Sequence, residues 1–291
     1  MTTERQFESV WTHLYNVSFT QGWIDVNGVK TRYVQAGNRN APAVLMMHGT
    51  GGSWEAFCAN IGPHSRDYNC FAFDSLGAGF TDKPDRDYQI ADYVEHIRGF
   101  MQAVGVEHAS LIGISLGSWV AAQFALTYPD KVRSLTLNAT FGLTVDAEDM
   151  KGILARRNKA HGDPSWENVR GIFGSLIHDE TRRLDDFVAV RQTAFRQPEM
   201  QKAYEHILSV LGTHIEANLI PAEQWRRIRA PTLVVYSSDD RPIFVKTAEE
   251  VIKLIPNVRA LKLEKVGHWP QFEVFERFNE YNLAFLREVV R

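Results

Sequence analysis

The sequence predicts an α/β fold, in which helices cover both faces of a mostly parallel, eight-stranded sheet and a helical lid is inserted between two strands. Three observations predict it. Short apolar runs alternate with helix-length segments, and connections of that length are what parallel strands need. Alternating runs on either side of Asn27-Gly28 indicate an antiparallel hairpin near the start. Residues 142–224 break the rhythm, because they contain charged amphipathic runs and no clear buried strand.

The first half of the chain contributes six of the eight predicted strands. Before the hairpin, aromatic residues recur at intervals of four, and Phe7, Trp11, Tyr15 and Phe19 predict a short arm or helix that lies on the body through one face. Beyond the hairpin, the predicted buried strands are 43–47, 70–73, 109–114 and 132–137, and the predicted helices are 54–61, 92–106 and 116–128.

The second half of the chain contains the insertion and the last two strands. Residues 163–176 and 182–195 are its clearest amphipathic segments. The strand-helix rhythm resumes at Pro231, with strands at 232–236 and 259–263 and helices at 245–254 and 272–290. We therefore predict a core domain formed by residues 1–141 and 225–291, and a lid formed by residues 142–224.

Composition excludes several classes of protein. A hydrophobic content of 44% suffices for a core, and no long uncharged apolar run predicts a membrane span. We find no secretory signal pattern, and Cys58 and Cys70 are too few for a disulfide framework. Scattered Lys and Arg and a net charge of −3 give no patch for nucleic acid or anionic lipid. We expect a cytoplasmic protein with a small-molecule substrate and neither a nucleic-acid nor a membrane partner; a homodimer stays open.

A nucleophilic serine is the strongest chemical signal. The run Gly113-Ile114-Ser115-Leu116-Gly117 joins a predicted buried strand to a predicted helix. At such a sharp turn the two backbones pass closely, so glycines are needed two residues before and two residues after the serine. This arrangement predicts that the Ser115 hydroxyl is exposed at the carboxyl edge of the sheet.

A base and an acid follow in the order that this chemistry needs. A serine hydroxyl is a weak nucleophile at neutral pH, so it requires a base and a third group that orients the base. His268 follows the strand at 259–263, and Asp240 follows the strand at 232–236. We predict that His268 accepts the proton of Ser115 and that Asp240 orients His268, with the neighbouring Asp239 as the alternative acid.

The oxyanion formed by attack on a carbonyl needs two backbone N–H donors. The Leu116 amide at the start of the helix is one candidate, and the Thr50 amide in the glycine-rich turn after strand 43–47 is the other. That turn lacks the Gly-Lys-Ser/Thr ending of a phosphate-binding loop. Cys58, Cys70 and His64 lack metal-ligand spacing, so we predict neither a metal nor a cofactor.

These motifs together resemble the α/β-hydrolase superfamily over residues 22–290. Within it, the chain looks similar to meta-cleavage product hydrolases, which cut a carbon-carbon bond in dienoates formed by ring opening of catechols. The stretches that carry this likeness are 22–26, 166–170, 191–199 and 267–269. The resemblance implies hydrolysis of a 2-hydroxy-6-oxo-2,4-dienoate during aromatic degradation. It also favours Asp240 over Asp239, since Asp240 occupies the family's acid position.

Arg191 is the candidate for binding a substrate carboxylate. If residues 182–195 are helical, Leu184, Val188 and Phe195 share a face with Arg191, so the guanidinium lies in an apolar stripe and needs an anion. A salt bridge to an acidic side chain of the protein would supply the anion for this guanidinium equally well. The resemblance implies that Arg191 holds the substrate carboxylate and that Trp269 lines the pocket.

Two departures from the family pattern keep other functions open. Ile114 stands where many of these hydrolases have asparagine, and Gly51-Gly52-Ser53 stands where many have Gly-Pro-Gly. Both positions lie beside the reacting carbonyl. A carboxylesterase or lactonase is therefore the first alternative, and a ligand-binding receptor of the same fold is the second.

Overall fold

One sheet organises residues 8–290, which are the part of the chain that this computed structural model describes. Its strands are β1 (Phe19–Val26), β2 (Val29–Ala36), β3 (Ala43–Met47), β4 (Asn69–Phe73), β5 (Ala109–Ile114), β6 (Val132–Asn138), β7 (Thr232–Ser237) and β8 (Val258–Leu263). They lie in the order β1-β2-β4-β3-β5-β6-β7-β8. β1 pairs with β2, and β2 with β4, in antiparallel fashion, and the other neighbours are parallel. The predicted sheet is confirmed.

A two-residue turn closes the first hairpin. Asn27 and Gly28 have φ angles of 54° and 85°, and Val26 pairs with Val29 across them. Positive φ at both central residues matches the right-handed twist of the strands, and asparagine and glycine reach it at little cost. The predicted hairpin is confirmed.

The strand order reverses direction at β3, and this reversal puts helices on both faces. The helices outside the insertion are α1 (Val10–Leu14), α2 (Cys58–His64), α3 (Ile90–Ala103), α4 (Leu116–Thr127), α11 (Pro242–Leu254), α12 (Pro270–Glu273) and α13 (Phe275–Val289). Because crossovers between parallel strands are right-handed, α2 between β3 and β4 lies on the face opposite to α3, α4 and α11. Helix α13 packs against α2.

The prediction that the N-terminal aromatic residues pack on the body is wrong, because another face of the helix packs there. Helix α1 buries Val10 and Leu14, whereas the Trp11 and Tyr15 side chains are 61% and 83% exposed. Phe19 belongs to β1, and Phe7 lies outside the described residues. Val10 and Leu14 share the same four-residue spacing, so the interval alone did not determine which stripe packs.

Six helices form the insertion between β6 and β7 within the described chain. They are α5 (Ala147–Gly162), α6 (Trp166–Gly174), α7 (Asp185–Phe195), α8 (Met200–Ser209), α9 (Ile215–Asn218) and α10 (Ala222–Trp225). Helix α5 has no apolar stripe that a sequence pattern could reveal, since it buries only Met150, Ala160 and His161. That the insertion acts as a lid stays a prediction. Among residues 8–290, no helix combines the length and the apolar character that crossing a bilayer requires.

His206 joins the insertion to the loop before α3. Its Nδ1 lies 2.8 Å from Asp87 Oδ1, and its Nε2 lies 3.0 Å from Asp85 Oδ1. Burial lowers the pKa of His206, but the hydrogen bonds to Asp87 and Asp85 outweigh burial and raise it above the ordinary value of 6.5. Protonated His206 therefore holds α8 to the core.

We expect this contact to stabilise the fold mainly at low pH. A group whose pKa is raised by folding contributes its full stability below pH 6.5 and loses it as the pH rises through the folded value. Asp87→Asn should therefore lower the melting temperature more at pH 6 than at pH 9, as followed by circular dichroism. The exposed Asp130→Asn is the control; an equal loss at both pH values for Asp87→Asn would contradict the assignment.

Candidate active site

Ser115 lies at a strained bend between β5 and α4. Its backbone angles are φ 54° and ψ −117°, a region that residues other than glycine rarely adopt. A Cβ atom at Gly113 would lie 2.2 Å from the Gly117 carbonyl oxygen, and one at Gly117 would lie 2.3 Å from the Met47 carbonyl oxygen. No side chain fits at either glycine, which is the constraint that the sequence pattern predicts.

His268 and Asp240 form a hydrogen-bonded pair. The distance from His268 Nδ1 to Asp240 Oδ2 is 2.8 Å, and both side chains are buried. The second carboxylate oxygen of Asp240 accepts the Arg241 amide at 2.7 Å. Asp239 points elsewhere, because its carboxylate is exposed and accepts the Lys265 amide. The structure therefore places Asp240, and not Asp239, against the imidazole.

Ser115 and His268 face one narrow cavity beneath the insertion. Among residues 8–290, no hydrogen bond joins the Ser115 hydroxyl to the His268 imidazole, although both line that cavity together with Thr50. In ligand-free sites such contacts are often long and shorten only when substrate binds. The apolar part of the lining consists of Phe141, Met150, Ile153, Ile172, Leu176, Leu211 and Phe244.

Two backbone amides near Ser115 are free to bind an oxyanion. Within the described chain, neither the Leu116 amide nor the Thr50 amide donates a hydrogen bond to another protein atom. Leu116 begins α4, where N–H groups have no partner within the helix. A Cβ on Gly49 would lie 3.2 Å from Ser115 Cβ, so the loop that carries Thr50 touches the nucleophile.

His48 holds that loop in place. Burial lowers its pKa to about 4, so the ring is neutral. Its Nε2 accepts the Ser75 amide at 2.9 Å, and its Nδ1 therefore carries the proton and donates to the Gly49 carbonyl at 2.7 Å. The histidine of the His-Gly motif thus orients the Gly49-Thr50 segment and takes no part in proton transfer.

Arg191 is buried, and no carboxylate in the described part of the chain forms an ion pair with it. It is 5% exposed, its Nη1 atom has no hydrogen-bond partner in the described chain, and its guanidinium lies against the rings of Phe173 and Phe195. Burial, followed by the charge of neighbouring Arg157, lowers the pKa of Arg191 to about 9. The internal salt bridge that the sequence left open is not formed within residues 8–290. A buried charge without an ion-pair partner costs stability.

Neither Arg191 nor Trp269 is among the residues that line the cavity at Ser115. Arg157 does line it, and its charge acts on Arg191. Trp269 is buried and packs edge-on against Phe173 and Phe187. The Trp269 ring fills space between α6, α7 and the His268 loop, and its role in lining the substrate pocket stays a prediction.

Two functional contacts escaped the sequence analysis. Arg157 donates to the Thr50 carbonyl at 2.7 Å and so reaches from α5 to the oxyanion loop. The buried Glu273 carboxylate accepts three backbone amides, from Gly267 at 2.7 Å, His178 at 2.9 Å and Asp179 at 2.7 Å. It thereby ties the His268 loop to the insertion. An acidic residue in the apolar run 269–275 was the available signal for Glu273.

The two cysteines are buried in the core. Cys58 and Cys70 are free, and burial raises the pKa of both thiols, so neither is a reactive thiolate. Within the described ranges, no group of three His, Cys, Asp or Glu side chains is arranged to hold a metal ion.

The fold and this site together define the protein family to which the chain belongs. A family model described as "alpha/beta hydrolase fold" matches residues 42–274. Because that match covers most of the sequence, the chain belongs to the alpha/beta hydrolase fold family.

Individual relatives narrow the class to hydrolases of ring-cleavage products. The chain is 29% identical to the 2-hydroxy-6-oxo-6-phenylhexa-2,4-dienoate hydrolase of Comamonas testosteroni, over 91% of this chain and 93% of the relative. It is 28% identical to the 2-hydroxymuconate semialdehyde hydrolase of Pseudomonas putida, over 84% and 86%. A solved meta-cleavage product hydrolase from Pseudomonas fluorescens aligns with a TM-score of 0.82 and 26% identity, over 94% and 98%. The resemblance to this group is confirmed.

We expect Glu273→Gln to weaken both the fold and the site. The glutamine side chain accepts hydrogen bonds through its carbonyl oxygen but not through its NH2 group. At least one buried backbone N–H therefore loses its acceptor, at a cost of about 1–3 kcal/mol. The free energy of unfolding in urea should fall by that amount, and kcat should fall because the His268 loop loses its anchor. Glu280→Gln, an exposed change on α13, is the matched control; equal stability of the two variants would rule out the anchoring role.

Proposed function

We propose that Ser115, His268 and Asp240 act as nucleophile, general base and orienting acid of a hydrolase. One observation carries the proposal: the buried Asp240–His268 pair and the strained Ser115 face the same cavity. His268 Nδ1 donates to Asp240, which leaves Nε2 to accept the Ser115 proton. The amides of Leu116 and Thr50 then bind the oxyanion.

The substrate that we propose is a 2-hydroxy-6-oxo-2,4-dienoate. The relatives named above support this choice, since hydrolases of such compounds align over most of both chains. In the reaction water is added across the bond between C5 and C6. Its hydroxyl joins the acyl carbon C6 and a proton goes to C5, so the products are a carboxylic acid and a 2-hydroxydienoate. His268 delivers the proton that Ser115 or water gives up.

We assign the substrate carboxylate to Arg191. A buried guanidinium without an anion destabilises the fold, and a bound carboxylate would compensate it through charge-assisted hydrogen bonds. Arg157, which lines the cavity and whose charge acts on Arg191, would lie beside the same carboxylate.

A second candidate function is hydrolysis of an ester or lactone. Ile114, directly before the nucleophile, is fully buried in the apolar core, so it offers no polar group beside the reacting carbonyl. Ester cleavage needs only the nucleophile, the base and the oxyanion donors, and it does not require the dienoate to change from enol to ketone.

Removal of the nucleophile tests the catalytic assignment. Ser115→Ala should lower kcat on a 2-hydroxy-6-oxo-2,4-dienoate by about 10⁴ to 10⁶ while substrate binding, followed by the dienoate absorbance, is kept. If neither a dienoate nor a p-nitrophenyl ester is turned over by the parent, and ligand binding is unchanged in the variant, the protein is a receptor instead of an enzyme.

Replacement of Arg191 tests whether its guanidinium binds the substrate or only stabilises the fold. Arg191→Met removes an uncompensated buried charge, so the melting temperature should stay equal or rise. The ratio of kcat/KM for the dienoate to kcat/KM for a neutral p-nitrophenyl ester should fall by about 10- to 100-fold. A lower melting temperature with an unchanged ratio would mean that Arg191 serves only the fold.

A further inference from the structure

A small cavity lies beside helices α3 and α4, apart from the cavity that Ser115 lines. Its wall includes residues of β3, β4, α3 and α4 and of the loops that follow the two strands. Its volume is about 10 Å³. The two cavities share no lining residue. The polar side chains in the wall of the small cavity are His48, Ser75, Tyr93 and His96.

Tyr93 carries a buried hydroxyl without a partner. Its side chain is 3% exposed, and within residues 8–290 its Oη atom makes no hydrogen bond. The neighbouring Tyr88, whose ring lies edge-on to that of Tyr93, donates its own hydroxyl to the Pro84 carbonyl at 2.8 Å. A buried hydroxyl that stays unpaired costs free energy, so this donor calls for an acceptor that the protein itself does not supply.

His96 carries a free acceptor. Thr31 donates its hydroxyl to the Val29 carbonyl at 3.1 Å, so Thr31 Oγ1, 2.8 Å from His96 Nε2, accepts the proton of that nitrogen. Burial lowers the pKa of His96 to about 4, which keeps the ring neutral. Nδ1 therefore has a free lone pair, and no group in the described part of the chain donates to it.

The rest of the wall favours an uncharged occupant. His48 is neutral, and its two ring nitrogens are bound to the Ser75 amide and the Gly49 carbonyl. Among residues 8–290, no Asp, Glu, Lys or Arg side chain lines the cavity. A bound water needs about 10–15 Å³, so a cavity of this volume holds one such molecule and no larger ligand.

We propose that one internal water molecule is bound in this cavity and joins Tyr93 to His96. The two residues are three apart in α3, so they lie on one face of the helix. The water accepts a hydrogen bond from Tyr93 Oη and donates one to His96 Nδ1, which satisfies both atoms. Leu116 and Gly117 line the same cavity, so the water lies directly behind the first turn of α4. The site does not depend on the proposed hydrolase function.

A high-resolution crystal structure of the protein tests the site directly. One ordered water should lie about 2.6–3.2 Å from both Tyr93 Oη and His96 Nδ1. In Tyr93→Phe this water should be lost, because an internal water needs at least two polar partners. A direct hydrogen bond between Tyr93 and His96, a cavity without ordered water, or a water that persists in Tyr93→Phe would overturn the proposal.

The sign of a stability change supplies a second test that needs no crystal. Tyr93→Phe removes the hydroxyl and keeps the shape of the ring. If the hydroxyl binds the water, the change also removes the partner of His96 Nδ1, and the melting temperature should fall by about 2–6 °C. If the hydroxyl is unpaired, its removal abolishes a desolvation cost. An unchanged or higher melting temperature would therefore contradict the bound water.

Tyr281→Phe is the matched control for that measurement. It makes the same chemical change on α13 at a side chain that is 41% exposed, where bulk water solvates the hydroxyl. Its melting temperature should stay within about 1 °C of the parent value. An equal fall in both variants would mean that the loss at Tyr93 does not report a water in this cavity, and would also overturn the proposal.

Discussion

The close approach of three backbones around Ser115 is the constraint on which the site depends. Gly113, Gly117 and the Met47 carbonyl meet with no room for a side chain, and this contact fixes the end of β5, the start of α4 and the end of β3. Leu116 directly follows the serine, and the loop that carries Thr50 touches it. Strain at Ser115 is maintained because the residue follows a fully buried strand, β5.

Arg191 is the charged group that the fold itself does not explain. It is buried, and among residues 8–290 no carboxylate forms an ion pair with it. A buried charge without a partner costs stability in the free protein, and natural proteins tolerate such a cost where binding or catalysis requires it. The substrate carboxylate that we propose for Arg191 would offset that cost.

Sequence patterns predicted the core more fully than the site. The strand 109–114 and the Asn27-Gly28 turn have local causes, namely apolar periodicity and positive φ, so they could be read directly. Helix α5 could not, since only Met150, Ala160 and His161 of its residues are buried and they form no continuous apolar stripe. Glu273 and Arg157 were missed for a related reason: each binds backbone atoms more than 90 residues away, and no residue pattern encodes such a contact.

The Glu273 carboxylate links the insertion to the loop that carries His268. It binds the amide of Gly267, directly before His268, and also two amides in the loop after α6, and the Trp269 amide donates to the Leu176 carbonyl at 3.0 Å. If the insertion opens as the predicted lid, its outward movement also displaces the loop that carries His268. Entry of a ligand and the position of the proposed base would then be coupled, so that an open molecule would also be an inactive one.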